Sequence, residues 1–135
     1  MPVDHCLALQ TALIAAIDAD TDLTVLIAGR VYDYVPADPQ YPFCRIGPMT
    51  AAPFEGDCIT GHEIRFAVHG FTRDYGRAGA ADLSAALIAL LGRTTLSLGG
   101  GIFADLTAAG WTVIEDTGEK GAWHAKLDLI ATTTE

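Results

Sequence analysis

The sequence is short of the residue types on which several functions depend. Its 135 residues include only two lysines, Lys120 and Lys126, and seventeen acids stand against eight bases, for a net charge of −9. Tight, sequence-independent binding to a phosphate backbone needs clustered Lys and Arg. We therefore expect a protein that does not hold nucleic acid by charge, although an acidic surface is compatible with nucleic acid passing beside it.

Motifs typical of catalysis and cofactor binding are also missing. The chain has two serines, neither in a GxSxG setting, and no glycine-rich loop followed by the lysine of a phosphate-binding site. Its histidines lack metal-ligand spacing, although strand pairing could bring His62 or His69 close to Asp128 or His124. We expect no cofactor and no metal. A small enzyme or ligand-binding module that uses His62, His69 and nearby acids in a cleft stays open as an alternative function.

Cysteines and long apolar runs are scarce too. The three cysteines, Cys6, Cys44 and Cys58, are too few and too scattered for a disulfide framework. No uncharged apolar run reaches the roughly 18 residues of a membrane helix, and the start MPVDHC lacks the pattern of a signal peptide. We expect one domain over residues 1–135, in a reducing compartment and without a membrane partner.

Apolar residues are abundant for a small domain. Half of the residues are hydrophobic and 19% are charged, below the usual quarter. Part of this excess fits surfaces that copies of the chain bury against one another. The composition therefore favours self-association over a monomer.

The stretch from His62 to Leu91 is the clearest structural unit. Between His62 and Thr72, apolar Ile64, Phe66 and Val68 alternate with mostly polar residues, which predicts a half-buried strand. After the turn 73–76, apolar residues recur every three or four positions: Ala80, Leu83, Leu87, Leu90 and Leu91. This spacing predicts a helix that packs on the sheet.

The remaining elements follow from caps, turns and alternation. We predict a helix capped by Asp4 that ends near Ala19, a short helix capped by Asp20, and strands at Val31–Val35, Phe43–Gly47 and Ala122–Thr133. Residues 102–106 and 111–115 form either one long bulged strand or two strands, and we favour the first. Residues 49–61 are interpreted as a loop or the arm of a hairpin, and residues 93–101 as irregular. The fold class is α+β, with a mostly antiparallel (mixed) sheet of four to five strands and helices packed on one face.

Contact residues are predicted on the polar side of this unit and in one loop. Arg73, Asp74 and Arg77 are the densest charged group, for which a local salt bridge at the helix entrance and a contact between subunits are both open. The full set of candidate interface residues is Phe54, Glu63, Arg65, His69, Arg73, Asp74 and Arg77.

The whole pattern resembles the tail terminator or tail completion proteins of long-tailed phages, and most closely the tail terminator of phage-like gene transfer agents. The residues that carry the resemblance are Ala8-Leu9-Gln10 with Ala12-Leu13, Gly29-Arg30-Val31-Tyr32-Asp33 with Val35-Pro36, Tyr41-Pro42-Phe43, His69-Gly70-Phe71-Thr72-Arg73 with Gly76-Arg77, and Asp116-Thr117-Gly118 before His124. It spans nearly the full length of the chain. The sequence departs from the family pattern at Gly70-Phe71, where a bulkier segment is expected, and in the last strand, which lacks an expected arginine.

The resemblance implies a structural protein and no catalysis. A homo-oligomeric ring of six subunits would cap the tail tube protein and offer a docking surface to the head-side connector protein, while DNA passes the lumen without specific binding. It implies assembly in the bacterial cytoplasm and then a place at the head-tail junction of a phage-like particle. A component of the head-tail connector is the nearest alternative.

Overall fold

The computed structural model describes residues 4–56 and 59–134, and for residues 54–56 and 59–60 it describes the backbone alone. The elements in chain order are α1 (His5–Ala19), α2 (Thr21–Ile27), β1 (Val31–Tyr32), β2 (Phe43–Ile46), β3 (Thr50–Gly56), β4 (Ile59–Thr72), α3 (Arg77–Leu91), β5 (Arg93–Gly99), β6 (Ile102–Glu115) and β7 (Trp123–Thr134). This is the predicted α+β class, with more strands than the four to five expected. No helix in the described ranges is long and apolar enough to span a membrane.

Two aspartates start the N-terminal helices, as predicted. The Asp4 carboxylate accepts hydrogen bonds from the amides of Cys6 and Leu7 at 2.9 and 3.2 Å. The Asp20 carboxylate accepts one from the amide of Leu23 at 3.0 Å. These bonds satisfy amides that the first turn of a helix leaves unpaired.

The strands form one mixed sheet of order β1-β2-β4-β7-β6-β5, with β3 paired to β4 beside β2. β1 and β2 run parallel, and the other described pairs are antiparallel. β4 pairs with β7 from Gly61 to Thr72. Its other edge is divided between β2, at residues 68–71, and β3, at residues 59–65. β4 and β7 therefore lie at the centre of the sheet.

One face of the sheet and all three helices share a buried core. Cross-strand pairing joins Ile64, Phe66 and Val68 of β4 to Ala131, Leu129 and Leu127 of β7. The helices contribute Leu9, Leu13, Ile17, Leu23, Ile27, Leu83, Leu87 and Leu91 to the same cluster. The predicted apolar face of β4 is confirmed. We call this side of the sheet the covered face.

Two sequence predictions need correction. Residues 93–99, predicted as irregular, form β5, because Leu96 and Leu98 pack toward the core and the three glycines are needed only at the turn. Gly99, Gly100 and Gly101 all have positive φ, which glycine adopts without steric cost. The strand predicted at Val31–Val35 ends at Tyr32. Of the two alternatives for residues 49–61, the hairpin arm is confirmed, because β3 pairs antiparallel with β4.

The interpretation of residues 102–115 as one bulged strand is confirmed. The register of β6 against β7 shifts between Ala108 and Gly110, which leaves one extra residue in β6. Beyond the shift, Trp111 lies opposite Leu127 and so faces the helix side. The bulge thus changes which residues of β6 face the core.

Candidate assembly interface

The face of the sheet opposite the helices carries three of the seven predicted contact residues, Glu63, Arg65 and His69. Pairing aligns Arg45 with His69 and Lys126 in one row, and Thr50 with Arg65 and Ile130 in another. These side chains alternate with the core residues and therefore point away from the helices. We call this side the open face.

Aromatic rings cover one end of the open face. Phe43 of β2 stacks on Phe71 of β4, with centroids 5.0 Å apart, and Phe71 stacks on His124 of β7 at 4.5 Å and an interplanar angle of 10°. Tyr41 lies 5.1 Å from Phe43 on the other side. Phe43 is 4% exposed. The rings form a small second cluster that fixes this end of the face.

His69 and His124 meet within this cluster. His69 Nδ1 lies 2.7 Å from His124 Nε2, and their rings stack 4.9 Å apart. Burial lowers the pKa of His69 to about 4, assisted by the charges of His124, Arg45 and Lys126 and opposed by Asp128. Burial also lowers the pKa of His124. Both imidazoles are therefore neutral at pH 7, and one donates to the other.

Glu63 and Arg65 occupy the other end of the open face. Arg65 donates to the Glu63 carboxylate at 2.9 Å, and their side chains are 64% and 36% exposed, respectively. Lys126 and Asp128 form a looser pair at 3.6 Å. These pairs lie along the surface and leave their charged groups open to solvent, where a partner could reach them.

Among the described residues, Arg73, Asp74 and Arg77 do not pair with one another, so the local salt bridge, one of the two interpretations left open, is not found. Arg73 pairs with Glu119 in the β6–β7 turn at 2.7 Å and lies over the ring of Tyr41 at 5.6 Å. Arg77 lies over the ring of Trp123 at 5.3 Å. Asp74 is exposed. The two arginines therefore join the start of α3 to the β6–β7 hairpin, which gives them a structural role within one chain.

Phe54 lies in β3, where its backbone pairs with Gly61. Its side chain is outside the described residues, so its predicted contact role stays a prediction.

A second surface, which the sequence analysis missed, lies along β6. β5 begins at Arg93, opposite Thr107, whereas β6 continues beyond Thr107 to Glu115. Residues 109–115 thus have β7 on one side and no described strand on the other. We call this segment the free edge of β6. Its Trp111 and Ile114 are 59% and 50% exposed. The sequence around these two residues does not indicate that their backbone is unpaired, because that depends on where β5 begins.

His62 and His69, which the alternative function would use together, have different neighbours. His62 Nδ1 lies 2.8 Å from His5 Nδ1, and the His62 amide donates to Thr133 Oγ1 at 3.1 Å. In the described part of the chain, no three His, Cys, Asp or Glu side chains come together as metal ligands would. A groove of about 530 Å³ between α1 and β5 is lined mainly by apolar and small residues, among them Leu7, Ala12 and Leu98.

Comparisons with known proteins agree on one family and one fold. The family model described as tail completion protein gp17 matches residues 11–134. A search of curated protein sequences finds no match. A chain in a solved structure described as the virion of a native gene transfer agent particle has a TM-score of 0.84 and 24% identity, and the match covers 99% of this chain and 100% of that one. Another solved chain, at 16% identity over 96% of this chain and 92% of that one, gives a TM-score of 0.56.

Proposed function

Because this chain belongs to the tail completion protein gp17 family, we propose that it is the subunit of a ring that caps the tail tube and joins it to the head-side connector. The observation that carries the proposal is the match to the family model over residues 11–134. Members of this family are structural proteins of phage tails. The coarse role, a structural component of a phage-like particle, follows from membership itself.

A ring of six subunits is the finer part of the proposal. The fold is similar to that of a chain in a solved structure described as a gene transfer agent virion, which supports a role in a particle of this kind. The surface of this chain supports repeated contacts, since the open face and the free edge of β6 offer apolar and charged side chains without covering elements. The net charge of −9 suits a lumen that DNA crosses without being held.

Assembly in the cell is the first test. Deletion of the gene should yield tails of uncontrolled length or tails that never join heads, as seen by electron microscopy of particles from the producing cells. Normal particles would contradict the proposal. A defect confined to the connector, with tails of normal length, would favour the alternative of a connector component.

Mass in solution is the second test. We expect native mass spectrometry to show a species of six chains, alone or after addition of tail tube protein. A strict monomer under both conditions would contradict the ring.

A further inference from the structure

We propose that the free edge of β6 pairs with β3 of a second copy of this chain, so that neighbouring subunits share one continuous sheet. The inference rests on the proposed ring and names the contact that would close it. A closed ring needs two different surfaces on each subunit, one that receives a neighbour and one that is received. The sheet offers such a pair of edges on opposite sides.

The free edge presents unpaired backbone groups. The amide of Asp116 donates to the carbonyl of Ala122 at 2.9 Å, which directs Asp116 toward the β7 side. Successive residues of an antiparallel pair point alternately toward and away from the partner. The N–H and C=O groups of Trp111, Val113 and Glu115 therefore point outward, where the described structure supplies no strand to pair with them.

A backbone hydrogen bond of Ala108, next to the bulge, agrees with this orientation. Ala108 also points away from β7, and its amide donates to the carbonyl of Gly92 at 2.8 Å, at the end of α3. Beyond Ala108, no described strand pairs with the outer side of β6. An added strand would occupy, beside residues 109–115, the position that β5 occupies beside residues 102–107.

The side chains of this edge favour pairing rather than prevent it. Soluble proteins protect exposed edge strands with proline, lysine, bulges or very short length. The free edge, residues 109–115, includes a bulge only at its first residue, Ala109, and contains neither proline nor lysine. It exposes Trp111 on one face of the sheet and Ile114 on the other. An added strand would cover both side chains.

β3 is the matching edge on the opposite side of the sheet. It has seven residues, as does the free edge, and Ala51, Ala52 and Pro53 are exposed. These small side chains leave room for Trp111 and Ile114 of a neighbour. β3 also contains Phe54, which the sequence analysis predicted as a contact residue.

Pro53 makes pairing of β3 with a different strand more favourable than pairing of two β3 strands with each other. Pro53 lies opposite His62 of β4, and the His62 amide donates toward Thr133 of β7, on the side away from β3. In an antiparallel pair the backbone groups of two opposite residues point either toward each other or away from each other, so the ring nitrogen of Pro53 points to the unpaired side of β3. Two β3 edges that paired with each other would both lack this donor. Against the free edge of β6, only one donor is missing and the carbonyls of β3 stay available.

Charge favours an antiparallel arrangement of the two edges. The first residue of β3, Thr50, lies beside Arg65, which is 64% exposed at its side chain. The free edge ends in Glu115, which Asp116 follows in the chain. Antiparallel pairing brings Arg65 of one subunit, beside the first residue of β3, close to these two acids of the other.

The variant Val113→Pro tests the pairing directly. It removes one outward N–H that β7 does not use, so the monomer should keep its fold and melting temperature within a few degrees. Self-association should weaken at least about tenfold, as measured by analytical ultracentrifugation. The matched control is Thr95→Pro, which places proline at an outward position of the other edge strand, β5, and should leave self-association unchanged. Unchanged association of a folded Val113→Pro variant would overturn the inference.

Disulfide trapping identifies the partner strand even if the proline variant fails to fold. In a background with Cys6 and Cys58 replaced by serine, Val113→Cys mixed with Pro53→Cys should form a crosslinked dimer under mild oxidation, because facing residues of paired strands lie within disulfide range. Each variant alone should stay uncrosslinked. Crosslinking of Val113→Cys to itself would overturn the assignment to β3. If the mixed variants assemble into rings but do not crosslink, the edge contact is wrong and the proposed function still stands.

Discussion

The covered and open faces belong to the same strands but have opposite chemistry. On β4, Ile64 and Val68 point into the core with 0% exposure, while Arg65 and His69, each one residue further along, point away from the helices. The covered face is held by carbon side chains and one buried cysteine, Cys44. The open face is held by stacked rings and exposed ion pairs. The alternation of a strand thus separates the residues that fold this chain from those available for assembly.

The largest expected difference between the faces is in stability. Leu129 and Ile130 are neighbours on β7, with Leu129 on the covered face at 1% exposure and Ile130 on the open face and partly exposed. Leu129→Ala should lower the free energy of unfolding by about 2–5 kcal/mol, because it leaves a cavity in a packed core. Ile130→Ala should lower it by about 1 kcal/mol or less. Urea denaturation of the two variants measures both values, and equal losses would mean that the open face is as important to the fold as the core.

The residues that sequence analysis predicted correctly are those with local signals. Asp4 and Asp20 precede apolar stripes and cap helices, and the alternation around Phe66 identifies the central strand. β5 was missed although Leu96 and Leu98 alternate with polar residues, because the glycines beside them were interpreted as part of the same irregular segment. The alternation that predicts a strand was therefore present, but the irregular segment at the glycines was extended back over it.

The interface was harder to predict because its features depend on distant parts of the chain. Arg73 has Glu119 as its partner rather than Asp74, and Trp111 lies at an edge because β5 begins only at Arg93, opposite Thr107. Neither fact has a signature in the nearby sequence. The predicted set Glu63, Arg65 and His69 does lie on one face, because alternation places every second residue of a strand together, but its role in contacts stays a prediction.

A smaller effect on the free energy of unfolding comes from a titratable group of the open face, His69. His69 has a pKa of about 4 in the folded chain against about 6.5 in an unfolded one, so folding favours its neutral form. The stability it contributes is complete above pH 6.5, falls as the pH drops toward 4, and falls no further below that. We expect a loss of about 1–2 kcal/mol over this range, allowing for partial exposure. The core cluster itself consists of apolar side chains and Cys44, whose pKa burial raises to about 12.

The variant His69→Gln isolates this contribution. Its free energy of unfolding should change less between pH 7.5 and 4.5 than that of the wild type, as measured by urea denaturation at each pH. A direct check is the NMR titration of the His69 imidazole. A midpoint near 6.5 would show that the contact with His124 does not keep the ring neutral.

The smallest expected effect on stability is at Arg65, and it separates structural arginines from those available to a partner. Among the described residues, Arg65 has Glu63 of its own strand as its ion-pair partner at the surface, so Arg65→Ala should change the free energy of unfolding by less than about 0.5 kcal/mol. Arg77→Ala should cost about 0.5–1 kcal/mol, because its guanidinium packs over Trp123 and joins α3 to the β6–β7 hairpin. Self-association should show the reverse order, with the larger loss at Arg65. If Arg77→Ala weakens association more than Arg65→Ala does, the subunit contact lies at the β4–α3 turn rather than on the open face.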